Sequence, residues 1–360
     1  MRTTRFSKRL SLKVALSGVA AGVLLTFGVQ PTFAQNKEFA ELATYSGADR
    51  QQRLVEGAKK EGVLSIYTSV PIDDMALITN AFEKKYGVKV KVWRAGSEKV
   101  LQRTVTEARA NRFDVDIIET NGPELESLHR EKLLQEVKSP YLADLIAPAI
   151  LPHREWIGTR LNIFAMAYNT NQVKKEDLPK TYQDFLNPKW KGKLGIEAED
   201  LDWFAGVVTE LGEEKGLKLF RDIVATNGLS VRKGHTLLAN LVASGEVPLA
   251  LTVYNYKADQ LKAKGAPLDW FTLPPTIARA NGVAAVKRPA HPHAAVLFFD
   301  FMLSDAQNIL FERDFVPTSK KIKTELNKMP MKFVDSKVIL DENEKWSSLY
   351  NEIITKQSRK

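Results

Sequence analysis

Three short stretches carry the side chains best suited to chemistry. Tyr254, Asn255, Tyr256 and Lys257 put two phenols, an amide and an ammonium side by side after the apolar run 247–253 (VPLALTV). The run 197–202 (EAEDLD) crowds Glu197, Glu199, Asp200 and Asp202 together. Arg94 precedes Ser97 in the segment Arg94-Ala95-Gly96-Ser97. Arg94 and Lys257 suit a carboxylate or phosphate, arginine through its planar fork. The acidic run suits a cationic group, or it complements the dipole at the start of the following helix, with Asp200 expected as the N-cap. If both charge sets face one cleft, the ligand is of mixed charge. Trp203 either stacks on that ligand or covers the core.

Signatures of catalysis do not accompany these residues. The chain has no G-x-S-x-G elbow, no H-E-x-x-H helix, no P-loop and no G-x-G-x-x-G. His129, His153 and His235 are isolated in sequence, His291 and His293 flank Pro292, and none shows zinc-ligand spacing. Neighbouring acids alone are common on surfaces. The expectation is therefore a binding protein without a cofactor, with an exported enzyme as the rival class.

The elements that must position these residues alternate. A helix over 49–61 stops at Gly62, and VLSIYTS (63–69) reads as a strand. Pro71 opens a helix ending at Gly87, VKVKVW (88–93) has period two, and Ser97 looks like the cap of a helix over 98–110. VDIIET (115–120) is a third strand. Strand–helix repeats at this spacing mean a parallel sheet covered by helices. RLNIFAMAYNT (160–170) is a long apolar strand able to leave this unit for a second one. That second unit holds strands at 194–198 and 247–253 and helices at 200–211, 213–226, 235–244 and 255–264. NGVAAVK (281–287) reads as the return strand. Residues 35–48 read as a loose lead-in and 344–357 as a helix packed on the outside. Two linkers between two α/β units make a hinge with a cleft, and ligands of open α/β sheets sit at the carboxyl ends of strands. The loops there offer Thr68 and Ser69, Arg94 and Ser97, then Thr120, Asn121 and Gly122. The second unit offers Glu199, Asp200, Trp203, Tyr254, Asn255, Tyr256 and Lys257.

With 360 residues, two domains are expected. Residues 1–13 hold five basic residues and no acid, residues 14–29 are apolar, and Ala34 precedes Gln35 at a small-residue cut. This pattern predicts a signal peptide over 1–34, cleaved near Ala34, and an exported protein. Its removal lowers the formal charge from +9 by five, to +4, too mild and too scattered for a nucleic-acid binder.

The chain resembles periplasmic solute-binding proteins of ABC transporters, of the ferric-iron-binding type. The resemblance rests on EGVLSIYTS (61–69), ARANRFDVDIIE (108–119), AMAYNTNQV (165–173), NPKWKGKLGI (187–196), VASGEVPLAL (242–251) and HPHAAVLFFDFMLSDAQ (291–307). It implies an α/β, two-lobed periplasmic-binding-protein fold of class II, with two doubly wound sheets joined by a two-strand hinge. Lobe 1 would comprise 35–165 and 276–360, and lobe 2 would comprise 166–275. It also implies a small-molecule ligand, a periplasmic location, a monomer, and a membrane permease and ATPase as partners. A receptor presenting its closed form to a membrane sensor is a third reading. Ferric-binding relatives use two adjacent tyrosines after the strand matching 247–253. Asn255 and Tyr256 fall on that pair here, so Tyr256 is the one retained iron donor, and no histidine follows the first strand. A small organic or mixed-charge solute is the resulting expectation, ahead of ferric iron.

Overall fold

The computed structural model describes residues 32–356. The expected signal segment lies outside the described residues except for Thr32 to Ala34, which begin helix α1 (Thr32–Thr44). The lead-in is therefore helical rather than loose. Phe39 and Ala43 recur at helical spacing, and both are buried, with Leu42 partly covered beside them.

Helix α2 (Arg50–Glu61), strand β1 (Val63–Thr68), α3 (Ile72–Tyr86), β2 (Lys89–Arg94), α4 (Ser97–Arg109), β3 (Ile117–Asn121), α5 (Gly122–Arg130) and the short β4 (Leu134–Gln135) follow in order. Gly62 and Gly87 end α2 and α3 at φ 71° and 73°, a left-handed turn that only glycine adopts cheaply. Ser97 is the first residue of α4, and Gly96 occupies the cap without a side-chain bond, a one-residue correction to the expected cap.

Strand β5 (Ile157–Asn169) is buried along its whole length. Beyond it come β6 (Leu194–Glu197), α6 (Leu201–Leu211), α7 (Glu213–Asn227), β7 (Ser230–Arg232), α8 (His235–Ser244), β8 (Leu249–Tyr254), α9 (Asn255–Ala263) and β9 (Leu268–Phe271). Strand β10 (Ile277–Val286) then returns, followed by α10 (Pro292–Met302), α11 (Asp305–Glu312), β11 (Val316–Pro317), β12 (Lys332–Phe333), α12 (Ser336–Asp341) and α13 (Asn343–Tyr350). Helix α10 is buried from Ala294 to Met302, its one charged residue there, Asp300, paired with Arg50 of α2, as expected of a helix enclosed by the core.

The main ladder runs β2-β1-β3-β10-β5-β8-β6-β7. Pairings β1–β2, β1–β3, β6–β7 and β6–β8 are parallel, whereas β10 is antiparallel to β3 and to β5, and β5 to β8. Strand β5 serves two sheets. Its first residues, Ile157 to Ile163, pair with β10, and Phe164 to Asn169 pair with β8 and β9. The chain thus passes from one half of the molecule to the other between Ile163 and Phe164, where Ile163 N–H also donates to Asn255 Oδ1 (3.4 Å).

The carboxyl-terminal tail touches both halves. Ser336 and Asp341 pack on α5, with Arg130 Nη1 donating to Asp341 (2.7 Å). Lys345 pairs with Glu213 of α7 (2.6 Å). Trp346, Tyr350, Ile353 and Ile354 are buried. From Asn343 on the tail is a helix packed on the outside, as expected: its apolar residues recur every three to four positions and cover α6 and α7 while the opposite face is exposed, and α12 makes the contact to α5.

Candidate ligand-binding site

The floor of the site is the β5–β10 ribbon. Arg160 stands opposite Asn281 and Asn162 opposite Arg279. Side chains two apart on a strand share a face, so four polar groups project together from otherwise apolar strands. Arg160 forms a buried ion pair with Glu119 of β3, and its Nη2 donates to Asn281 Oδ1 (3.2 Å). Thr68 Oγ1 donates to the other oxygen of Glu119 (3.0 Å). Arg279 Nη1 donates to Asp202 Oδ2 in the first turn of α6 (2.7 Å), and its guanidinium lies over the rings of Phe164 and Tyr254.

These groups are paired incompletely. Buried polar atoms in folded proteins nearly always find a partner. Here Arg160 Nε, Asn162 Oδ1, Arg279 Nε and Asn281 Nδ2 have none, although all four are sealed from solvent. The same holds around the ribbon for Glu124 Oε2, Asp200 Oδ2, Asn255 Nδ2 and His235 Nδ1. Among the described residues, unpartnered buried atoms are concentrated at this one place, and they include both donors and acceptors.

An aromatic row crosses above the ribbon. His235 stacks on Tyr254 (3.6 Å between ring centroids), Tyr254 lies 5.8 Å from Tyr256, and Tyr256 packs on Phe315 at 4.1 Å. Tyr256 and Phe315 come from opposite halves of the molecule. Beside them, Asp74 at the start of α3 receives Lys257 Nζ (3.6 Å) and Gln260 Nε2 (3.2 Å) from α9, together with Arg313 Nη2 (2.7 Å). The two halves are therefore in contact, and Asp74 is the clasp.

Carboxyl chemistry follows from burial. Desolvation pushes Glu124 up to about 7, opposed by the nearby Arg279. Glu197 also rises to about 7, through burial first and the negative charge of Asp200 second. Its oxygens accept the amide N–H groups of Gly234 (2.7 Å) and Glu199 (2.5 Å). Burial raises Asp202 too, against the pull of Arg279, and lowers Lys257, against the pull of Asp74.

The sequence candidates fall into distinct environments. Thr120 Oγ1 donates to Ser69 Oγ (3.0 Å), and Asn121 lies opposite Asn281 in the ladder. Arg94 is exposed and donates to the carbonyls of Ser69 and Val70 (both 3.3 Å). It has no carboxylate partner among the described residues. Asp200 occupies the N-cap position of α6 without a cap bond, and its Oδ1 faces His235 Nε2 instead (3.1 Å). Glu199 is exposed and paired with Lys233.

Three candidates do other work. Trp203 is buried against Phe220 and Tyr182, so it belongs to the core. Lys257 is turned onto Asp74. Gly122 is where α5 meets β10 and the tail: a Cβ there would lie 2.6 Å from Ser336 Oγ and 3.2 Å from Ala280 O. Sequence reasoning missed Arg160, Asn162, Arg279, Asn281, Glu119, Glu124 and His235. The available signal was polar residues two apart inside apolar strands, in RLNIF (160–164) and IARANG (277–282).

Residues 115–340 match the family model described as bacterial extracellular solute-binding protein. The chain belongs to this family. Iron uptake protein A1 of Synechocystis sp. is 22% identical to this solute-binding protein over 307 residues, 79% of this chain and 85% of that one. The Fe(3+)-binding periplasmic protein of Serratia marcescens is 28% identical over 181 residues, 49% of this chain and 52% of that one. Iron-bound HitA from Pseudomonas aeruginosa superposes with a TM-score of 0.71 at 24% identity, covering 81% of this chain and 99% of that one. AfuA from Actinobacillus pleuropneumoniae, with fructose-6-phosphate bound, gives 0.73 at 22% identity, covering 82% and 99%. The solute-binding protein thus has the two-lobed, class II fold of periplasmic binding proteins.

Proposed function

We propose that this solute-binding protein is the periplasmic substrate-binding component of an ABC importer and captures one small ligand by closing two lobes over the β5–β10 ribbon. The division would fall near residues 165 and 275, with the tail bridging the lobes. The supporting observation is the set of unpartnered buried atoms on and around that ribbon. A buried donor or acceptor left unmade costs about 1–3 kcal/mol, so a ligand that satisfies several of them, from both lobes at once, favours the closed form by its differential contacts. Shifting such an equilibrium from mostly open to mostly closed takes about 5.5 kcal/mol, the sum of a few such bonds.

The preferred ligand is an organic solute of mixed charge. Arg160, Arg279 and Lys257 already face Glu119, Asp202 and Asp74, so a strongly anionic ligand meets few uncommitted cations beyond Arg94. The unpartnered oxygens of Glu124 and Asp200 favour a ligand that also donates protons or carries a cationic group.

Ferric iron is the second reading. It is favoured by the iron-binding relatives and by Glu197, Asp200 and His235, which offer one donor atom each within 4.8 Å of one another. Thermal-shift screening separates the readings, since a ligand specific to the native state raises its melting temperature. Amino acids, organic acids, sugar phosphates, quaternary amines and ferric citrate form the panel. Stabilisation by a mixed-charge organic compound supports the preferred reading. A shift with ferric citrate alone, with a coloured complex, replaces it with iron. Turnover of the bound compound contradicts both.

A further inference from the structure

Histidines scattered in the sequence meet in the fold, outside the cleft. His129 lies in the last turn of α5, three residues after Glu126, so both side chains project from one helix face. The segment leading into β5 brings His153 over them. The His129 and His153 rings stack with centroids 3.8 Å apart, and His153 Nε2 lies 3.3 Å from Glu126 Oε2. One carboxylate oxygen of Glu126 and one nitrogen from each ring lie within 4.8 Å of one another. A second carboxylate stands behind: His129 Nδ1 is 2.6 Å from Glu155 Oε2. That bond places the His129 proton on Nδ1 and leaves Nε2 bare, the arrangement that orients and strengthens a metal-binding imidazole.

We propose that Glu126, His129 and His153 bind a divalent d-block cation such as Zn²⁺, with Glu155 as the positioning residue for His129. Two imidazoles and one carboxylate are a donor set suited to zinc, and three protein ligands leave a position for water. The side chains of His129 and His153 are 28% and 18% exposed while that of Glu126 is 7% exposed, so the site is open on one side and anchored on the other. The neighbouring Arg130 bonds Asp341 (2.7 Å) and pairs at 3.8 Å with Oε1 of Glu126, leaving Oε2 turned toward the two rings.

The Glu155 amide donates to His153 Nδ1 (3.0 Å), which places the His153 proton on Nε2, toward Glu126. The cation takes the place of that proton, which moves to Nδ1 as the ring turns off the amide. The trio Glu197, Asp200 and His235 differs, because it belongs to the cleft and Glu197 is held by two short backbone N–H bonds, whereas Glu126 Oε2 receives only the longer contacts of Trp156 Nε1 and His153 Nε2, both 3.3 Å. Occupation of the Glu126 site would tie α5, whose first turn carries Glu124, to the segment that feeds the crossing strand.

The test is calorimetric titration of Zn²⁺ into tag-free, chelator-treated protein, with Co²⁺ absorption as a second readout. One equivalent with micromolar or tighter affinity is expected, with a visible Co²⁺ band of a four-coordinate site. His129→Ala and His153→Ala should each weaken binding at least about 100-fold, and Glu155→Gln by about 10–100-fold at unchanged stoichiometry. Asp200→Asn should leave Zn²⁺ affinity unchanged. Melting curves without metal confirm that each variant is folded. Absence of binding to the unmodified protein, retention of full affinity by folded His129→Ala, or loss of affinity in Asp200→Asn overturns the proposal.

Discussion

The two buried arginines of the crossing ribbon are one strand apart and have opposite partners. Arg160 is paired within a single sheet, with Glu119 held in turn by Thr68 of the neighbouring strand. Arg279 reaches off the sheet to Asp202 on α6, with Glu124 on α5 exerting a further pull. The first pair forms without any closure, since its members lie on β1, β3, β5 and β10, and it leaves only Arg160 Nε unpartnered. Under the proposed division the second joins elements from both lobes, so its geometry would depend on how they sit. The difference teaches that one guanidinium is tied within a sheet, while its neighbour ties the sheet to a helix and, under the proposed division, would couple the lobes.

Breaking the pairs separately sharpens that contrast. Arg160→Met strands Glu119 without its cation and should lower the unfolding free energy by about 3–5 kcal/mol, measured by urea titration. Arg279→Met should cost less stability in the ligand-free protein and more in function. Loss of one charge-assisted hydrogen bond, about 1.5–3 kcal/mol, corresponds to roughly 10–150-fold weaker ligand binding by calorimetry. Equal stability losses and equal affinities in the two variants would erase the distinction.

The clasp is the next lever. Asp74→Asn removes the charge that gathers Lys257, Gln260 and Arg313, and should enlarge the ligand-free particle in small-angle scattering while leaving the melting temperature little changed. Unaltered dimensions would show that the clasp does not hold the lobes.

Protonation offers a subtler break. Glu124 is raised to about 7 in the fold from an ordinary 4.5. Its stabilising contribution is therefore fully present below pH 4.5 and is lost as pH rises through about 7. The unmodified protein should lose more melting temperature between pH 5 and pH 8 than Glu124→Gln does, and parallel curves would contradict the raised value. Arg94→Ala should have the smallest effect, a few-fold in affinity, because an exposed charge contributes only about 0.2–1 kcal/mol.

Local pattern carried most of the fold. Apolar periodicity and glycine stops placed α2 to α4 and β1 to β3 within a residue or two, because such elements are set by contacts a few positions apart. The crossing strand was readable as an unbroken apolar run. Pairing was not: nothing in the neighbourhood of Arg160 names Glu119, 41 positions away, and nothing near Lys257 names Asp74. The same limit turned Trp203 and Gly122 from site candidates into packing residues, and it hid the meeting of His129 with His153.

A ligand-bound crystal structure, with the compound taken from the thermal-shift panel, tests the central claim most directly. Density is expected over the β5–β10 ribbon within hydrogen-bond distance of Arg160 Nε or Arg279 Nε and touching residues of both lobes. Density anywhere else, or contacts to one lobe alone, would contradict capture by closure.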